Sequence, residues 1–213
     1  KDTLTCIFLN PVVEQMYARK ELYSFLERRG FRPVSCSKNW GDIVLEKYRK
    51  AAEESHRAIA DVRCPRAAHM VRRLNCKDGL SLPNIEPILF HCAREISVRP
   101  ELKGMQKLIT TPCEILADEG NSLGLLETEF LTWNEFLRRI GESFPGQKLE
   151  KSPIPPGFFA GMEKVDSITG AGEIEEYLNR GNLSVPGLLR KTGEEGKWWK
   201  CSGAAEVVTM GMG

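Results

Sequence analysis

The amino-acid sequence predicts an α/β fold: a mostly parallel, Rossmann-like or doubly wound sheet of about six strands, covered by helices, with an irregular C-terminal extension. The first observation behind this prediction is the alternation of short apolar, β-prone runs with amphipathic helical patterns along most of the chain. The second is the composition, since 213 residues with 41% hydrophobic and 28% charged residues suit a globular chain with a sizeable core. The third is that no apolar stretch approaches the roughly 18 residues of a membrane span, so we expect no membrane partner.

The first part of the chain contains two predicted strand–helix units. Residues 4–11, LTCIFLNP, read as a buried strand closed by Asn-Pro, and the helical pattern that follows stops at Gly30. Residues 31–37, FRPVSCS, form the second predicted strand, and Pro33 favours a position at the edge of the sheet. A charged amphipathic helix is predicted to begin near Asp42.

The middle of the chain continues the same alternation. Residues 58–62 are a weak strand candidate, and Pro65 stands at the first turn of the helix predicted after them. Residues 86–92, EPILFHC, are predicted to form a strand because the run is short and apolar. Residues 107–113 form the next predicted strand, which leads into a short helix that ends at Gly120.

The last predicted units follow the same pattern. Residues 128–133 form a strand, and Asn134 is the predicted cap of the helix after it. Residues 164–169 form the last strand, before a helix that opens with two glycines.

Composition divides the chain into three predicted parts. Residues 1–142 form the main α/β domain, and residues 143–181 combine a Pro/Gly-rich junction with the final strand–helix unit. Residues 182–213 form an irregular, Gly-rich tail, which we expect to wrap the core or to contact a protein partner or a second copy of the chain. Phe158 and Phe159 are expected to pack the junction or to form an exposed apolar contact.

Charge and cysteine content restrict the classes of function. With 30 basic and 29 acidic residues, the net charge of +1 argues against nucleic acid or an anionic membrane as the main partner, although a small anionic ligand is compatible. Seven cysteines, an odd number without any Cys-x-x-Cys motif, make a poor disulfide framework and favour a reducing, cytoplasmic location.

The candidate site lies where the predicted strands end, because open α/β sheets bind ligands beyond the carboxyl ends of their strands. Cys64 and Cys113 are the candidate catalytic residues, since each is predicted at a helix N-terminus, where the helix dipole lowers the pKa of a thiol. Cys64, Cys92 and Cys113 are the candidate metal ligands, and three thiolates from separate loops could hold an iron–sulfur cluster or a zinc ion. The candidate residues for binding a small anionic substrate are Arg63, Arg94, Asn10 and Thr111.

Two main hypotheses about function remain open at this stage, and the sequence does not decide whether the protein is an enzyme. The first is a cytoplasmic thiol- or metal-dependent protein, either redox-active or built around an iron–sulfur cluster. The second is a non-enzymatic α/β binding or assembly subunit whose cysteines are structural, because free cysteine is among the most buried residue types. A third, a metal-free enzyme that uses the same cleft, also stays open.

Overall fold

The computed structural model describes residues 5–54, 58–59, 62, 65 and 80–149. These residues belong to two compact units. The first unit contains the described residues up to Trp40 and from Leu89 onward, and the second contains those from Gly41 to Ile88. The predicted domain boundaries near residues 142 and 181 stay predictions.

The first unit is built on a parallel sheet of four strands, as its residue pairing shows. The strands are β1 (Thr5–Phe8), β2 (Phe31–Val34), β5 (Gln106–Thr111) and β6 (Thr128–Thr132). All neighbours are parallel, in the order β2-β1-β5-β6, and Ile7 of β1 lies opposite Pro33 on one side and Leu108 on the other. The prediction of an α/β fold with a parallel sheet is therefore confirmed, and Pro33 lies in an edge strand as predicted.

Six helices accompany the strands in the described residues. They are α1 (Pro11–Met16), α2 (Arg19–Glu27), α3 (Trp40–Glu54), α4 (Ile88–Ser97), α5 (Glu114–Ser122) and α6 (Trp133–Arg139), with a short 3-10 helix at Pro100–Leu102.

Helices cover both faces of this sheet. Neighbouring residues of a strand point to opposite faces, so a strand with apolar residues at successive positions needs a core on each side. Cys6 and Ile109 face a core that α4 and α5 complete, whereas Ile7 and Leu108 face a second core completed by α1, α2 and α6. The sheet is thus the middle layer of an α/β/α arrangement, and its central strands are buried on both faces.

The second unit contains a separate pair of short parallel strands, β3 (Ala58–Ile59) and β4 (Leu80–Ser81). Helix α3 contributes Val44 and Tyr48 to its core, and the backbone N–H of Val62 donates to the hydroxyl of Tyr48 over 3.2 Å. The described residues therefore form one sheet of four strands and one of two strands, rather than a single sheet of about six strands. The predicted strand at 164–169 and the predicted tail lie outside the described residues.

The prediction of a strand over residues 86–92 is wrong, because residues 88–97 form helix α4. Leu89, Cys92, Ala93 and Ile96 are all buried and recur at the spacing of one helix face. A short apolar run does not distinguish a buried strand from the start of a buried helix, and the helical period becomes visible only when Ile96 is included.

Two further boundaries differ from the prediction. The helix expected to run continuously to Gly30 breaks at Tyr17, which is extended, because its ring stacks on Phe144 and its hydroxyl donates to the Phe144 carbonyl. Helix α6 is capped by Thr132 rather than by Asn134, since the Thr132 hydroxyl accepts the backbone N–H of Glu135 over 3.2 Å.

Among the described residues, no helix has the length and apolar composition that crossing a bilayer requires.

Candidate functional site

The carboxyl edge of β1 and β5 is where the strand order predicts a ligand site. The chain leaves β1 toward β2 on one side, and leaves β5 toward β6 on the other, so these two central strands flank the point where the strand order reverses. In open α/β sheets, ligands bind in the crevice at such a point. Asn10 follows β1, and Thr110 and Thr111 end β5, so two of the predicted binding residues, Asn10 and Thr111, do lie at this edge.

Asn10 and Thr110 join the two strands by a buried hydrogen-bond network. The backbone N–H of Asn10 donates to the Thr110 hydroxyl over 2.8 Å, and the side-chain amide of Asn10 donates to the same oxygen over 3.2 Å. The Thr110 hydroxyl in turn donates to the carbonyl of Phe8 over 3.0 Å. Asn10 is only 3% exposed, so this network closes the edge between the two strands.

The other end of the Asn10 side chain caps helix α1. Its carbonyl oxygen accepts the backbone N–H groups of Val12, over 2.9 Å, and Val13, over 3.3 Å, and Pro11 occupies the first helical turn. Both ends of the amide are therefore engaged within the fold, whereas the sequence had pointed to Asn10 as a substrate-binding residue.

Thr111 and Cys113 form the turn from β5 into helix α5. Thr111 is buried, and its hydroxyl donates to the carbonyl of Cys113 over 2.9 Å. Cys113 has an extended backbone and is the N-cap residue of α5, so it lies at a helix N-terminus as predicted. Its half-buried side chain packs against the core that includes Leu116 and Ala117. The structure thus places Cys113 at the expected edge, in contact with apolar side chains.

Cys92 lies on helix α4 and is paired with Cys36, the residue that follows β2. The Cys36 thiol donates to the backbone carbonyl of Cys92 with 3.8 Å between sulfur and oxygen. The neighbouring Cys92 thiol lowers the pKa of Cys36, because a hydrogen bond from it stabilises the thiolate form. The same contact, together with burial, raises the pKa of the Cys92 thiol.

The loop after Cys36 is held by a single carboxylate of helix α4. Glu95 accepts hydrogen bonds from the backbone and hydroxyl of Ser37, over 2.6 and 2.9 Å, and from the Trp40 indole over 2.7 Å. Burial raises the pKa of Glu95, but these hydrogen bonds outweigh burial and hold the pKa below its ordinary value. The Trp40 ring also stacks on His91 at 5.0 Å, so the loop is packed on α4 as well as hydrogen bonded to it.

The remaining predicted site residues are only partly placed. Arg94 lies on the exposed side of helix α4, rather than after a strand end, because residues 88–97 are helical. Cys64 and Arg63 lie outside the described residues, so the catalytic and metal-binding roles that involve them stay predictions. Among the residues that the structure does describe, no group of three or more His, Cys, Asp or Glu side chains is arranged to hold a metal ion.

The contact between Cys36 and Cys92 was not anticipated from the sequence. The strand assigned to 86–92 placed Cys92 at a sheet edge, and only a helical interpretation puts Cys92 and Glu95 on the same face, one turn apart. That face meets the loop after β2, which carries Cys36, Ser37 and Trp40. The helical period through Ile96 was the signal that could have placed Cys92 and Glu95 on one helix face.

No protein-family model, curated protein or solved structure matches this chain significantly.

Proposed function

We propose that the protein is a cytoplasmic, non-enzymatic α/β binding or assembly subunit, built on a Rossmann-like, doubly wound sheet, whose strand-end residues and described cysteines mainly serve the fold. The observation that carries this proposal is the network of Asn10 and Thr110. In doubly wound folds the crevice at this edge receives the ligand, whereas here both ends of the Asn10 amide bond to the protein itself.

The state of the cysteines supports the same proposal. Cys6 is fully buried in the central strand β1, and burial raises the pKa of its thiol. Cys92 is buried with a raised pKa as well, and a protonated, buried thiol is a poor metal ligand. All four described cysteines are free thiols, which is the state that a reducing compartment maintains.

The partner surface proposed for assembly is the tail, residues 182–213, with the apolar pair Phe158 and Phe159. These residues lie outside the described part of the chain, so their role rests on composition: adjacent aromatics beside a Pro/Gly-rich stretch are typical of a contact surface. The first partner to test is a second copy of the chain.

Sedimentation velocity of the full chain over a wide concentration range tests this assembly. We expect the wild-type protein to associate as concentration rises, and the double variant Phe158→Ala/Phe159→Ala to associate more weakly. The matched control is Val98→Ala/Leu126→Ala, which removes two apolar side chains that are 77% and 73% exposed. A wild-type chain that stays monomeric throughout, or equal weakening in the control, would contradict assembly through Phe158 and Phe159.

The thiol- or metal-dependent protein is the second candidate, with Cys64, Cys92 and Cys113 as ligands of an iron–sulfur cluster or zinc and Arg63 and Arg94 binding a small anionic substrate. The observation that favours it is that Cys92, one of the proposed ligands, lies beside a second thiol, Cys36, whose pKa it lowers. Alkylation of the full chain as a function of pH tests Cys64, for which this candidate requires a midpoint well below the free-thiol value of about 8.5. A midpoint near the free-thiol value would count against it.

A further inference from the structure

Cys36 and Cys92 are two reduced thiols in contact, drawn from segments that are far apart in the sequence. Cys36 follows the edge strand β2, Cys92 lies on helix α4, and 56 positions separate them. The Cys36 sulfur lies 3.8 Å from the Cys92 carbonyl oxygen and donates a hydrogen bond to it. The Cys36 sulfur thus lies beside the backbone of Cys92, and closeness of two cysteines is the first geometric requirement for a disulfide.

The two thiols differ in access and in charge state, as an attacking and a resolving cysteine do. Cys36 is half-buried between the exposed residues Ser35 and Ser37, so a small oxidant can reach its sulfur. Cys92 is only 6% exposed. The hydrogen bond from Cys92 lowers the pKa of Cys36, and the thiolate is the form that reacts with peroxides.

Two charged groups adjust the thiolate further, in opposite directions. The guanidinium of Arg99, whose Nη1 donates to the carbonyl of Ser35 over 2.6 Å, lies close enough to Cys36 to lower its pKa. The Glu95 carboxylate raises the pKa of Cys36 in the same environment, but its hydrogen bonds to Ser37 and Trp40 also hold the loop against α4. The loop is thus kept in place beside Cys92 while Cys36 stays reactive.

We propose that Cys36 and Cys92 are a peroxide-oxidised thiol pair that forms a reversible disulfide between the loop after β2 and helix α4. The Cys36 thiolate attacks one oxygen of hydrogen peroxide, the O–O bond breaks, and Cys36 becomes a sulfenic acid as hydroxide leaves. The Cys92 sulfur then attacks the Cys36 sulfur, the S–O bond breaks, and water leaves after the Cys92 proton is transferred. Overall, two thiols and one hydrogen peroxide give one disulfide and two waters.

Peptide mapping of the full chain tests the proposal without any substitution. The reduced protein is treated with a stoichiometric amount of hydrogen peroxide, the remaining thiols are alkylated, and the digest is analysed by mass spectrometry. We expect the main product to be a cross-linked pair of peptides that contain Cys36 and Cys92, lighter by two hydrogens and restored to two thiols by dithiothreitol. Cys113, a half-buried thiol in the same unit, is the internal reference. It should stay mostly reduced during the peroxide treatment and therefore be recovered in its alkylated form.

Two variants separate the steps. In Cys92→Ser the second step is lost, so dimedone should trap the sulfenic acid at Cys36. In Arg99→Gln the local positive charge is lost, so oxidation of Cys36 should slow severalfold while alkylation of Cys113 keeps its rate. The proposal is overturned if wild-type Cys36 stays reduced while other cysteines oxidise, or if Cys36 forms its disulfide mainly with a residue other than Cys92. Because none of these readouts involves association of the chain, their failure would leave the proposed assembly function unaffected.

Discussion

Replacing Asn10 by alanine removes a side chain that holds two structural elements at once. Its carbonyl oxygen caps α1 through the N–H groups of Val12 and Val13, and its amide donates to Thr110. Loss of an Asn cap costs about 1 kcal/mol. Loss of the second contact costs roughly 1 kcal/mol more, which is the net contribution of a typical intramolecular hydrogen bond.

The hydroxyl of Thr110 limits the total cost of this substitution. It still accepts the backbone N–H of residue 10 over 2.8 Å and still donates to the carbonyl of Phe8, so it is not left unsatisfied. We therefore expect Asn10→Ala to lower the free energy of unfolding by about 2 kcal/mol. Asn10→Ser keeps a capping hydroxyl but cannot reach Thr110 in the same way, so it should lose only about 1 kcal/mol.

Urea unfolding of the full chain, followed by circular dichroism under reducing conditions, measures both losses. The control is Asn84→Ala, an exposed position at which we expect a change within about 0.5 kcal/mol. If Asn10→Ala is as stable as the wild type, or more stable, the assignment of this residue to the fold is refuted. An increase in stability is the behaviour expected of a polar residue that is kept for ligand binding at the expense of the fold.

Three further perturbations test the surrounding structure. Lys107 is 1% exposed, and its ammonium lies 3.0 Å from the Glu127 carboxylate. Glu127→Ala leaves this buried charge without its partner and should lower the free energy of unfolding in urea by about 3 kcal/mol. Lys107→Met removes the buried charge itself and should be nearly neutral. Gly120→Ala should cost about 1–3 kcal/mol, since the new Cβ would lie 2.4 Å from the Phe130 ring, and Phe130→Leu should make the added methyl less costly in a double-mutant cycle. The pKa of Glu95 is lower in the folded protein than in the unfolded chain, so its contribution to stability is present above about pH 4.5 and is lost as pH falls through the folded pKa. Glu95→Gln should therefore make the free energy of unfolding fall less steeply at acid pH. An unchanged slope would contradict the assigned hydrogen bonds.

Local sequence patterns were sufficient to predict the parallel sheet. The strands at Thr5–Phe8, Phe31–Val34 and Thr128–Thr132 lie within predicted runs, and Gln106–Thr111 begins one residue before its predicted run. β-prone apolar segments bounded by Pro, Asn or Gly carry a strong local signal. Strand order is set by contacts between distant segments, which no local pattern records. The separate pairing of Ala58–Ile59 with Leu80–Ser81 is an example of a contact of this kind.

The two main errors in secondary structure have different causes. The break at Tyr17 follows from its contacts with Phe144 and Trp133, which lie more than a hundred positions along the chain. The strand predicted over 86–92 failed because the window stopped before Ile96, which completes the buried helix face. At Tyr17, packing between distant residues rather than local propensity decided the backbone conformation, whereas the error at 86–92 came from too short a stretch of sequence.

The positions of three candidate site residues could be predicted from the sequence, and their roles stay predictions. Asn10, Thr111 and Cys113 lie at the carboxyl edge of the sheet as expected, since strand ends can be located from the sequence. Whether a polar side chain faces a ligand or another part of the chain depends on partners such as Thr110, a hundred positions from Asn10. For the same reason the pairing of Cys92 with Cys36 could only be found in the folded structure.

Metal and sulfide analysis of the full chain, purified without oxygen, tests most directly whether this is a binding subunit with structural cysteines. We predict a colourless protein without stoichiometric iron, zinc or acid-labile sulfide. The prediction would be contradicted by stoichiometric iron and sulfide, or by stoichiometric zinc, if the metal is lost in Cys64→Ala or Cys113→Ala. The control is Cys201→Ala, which changes a cysteine of the predicted tail and should retain the metal. Metal with this pattern of loss would instead establish the thiol-ligated metal centre of the second candidate.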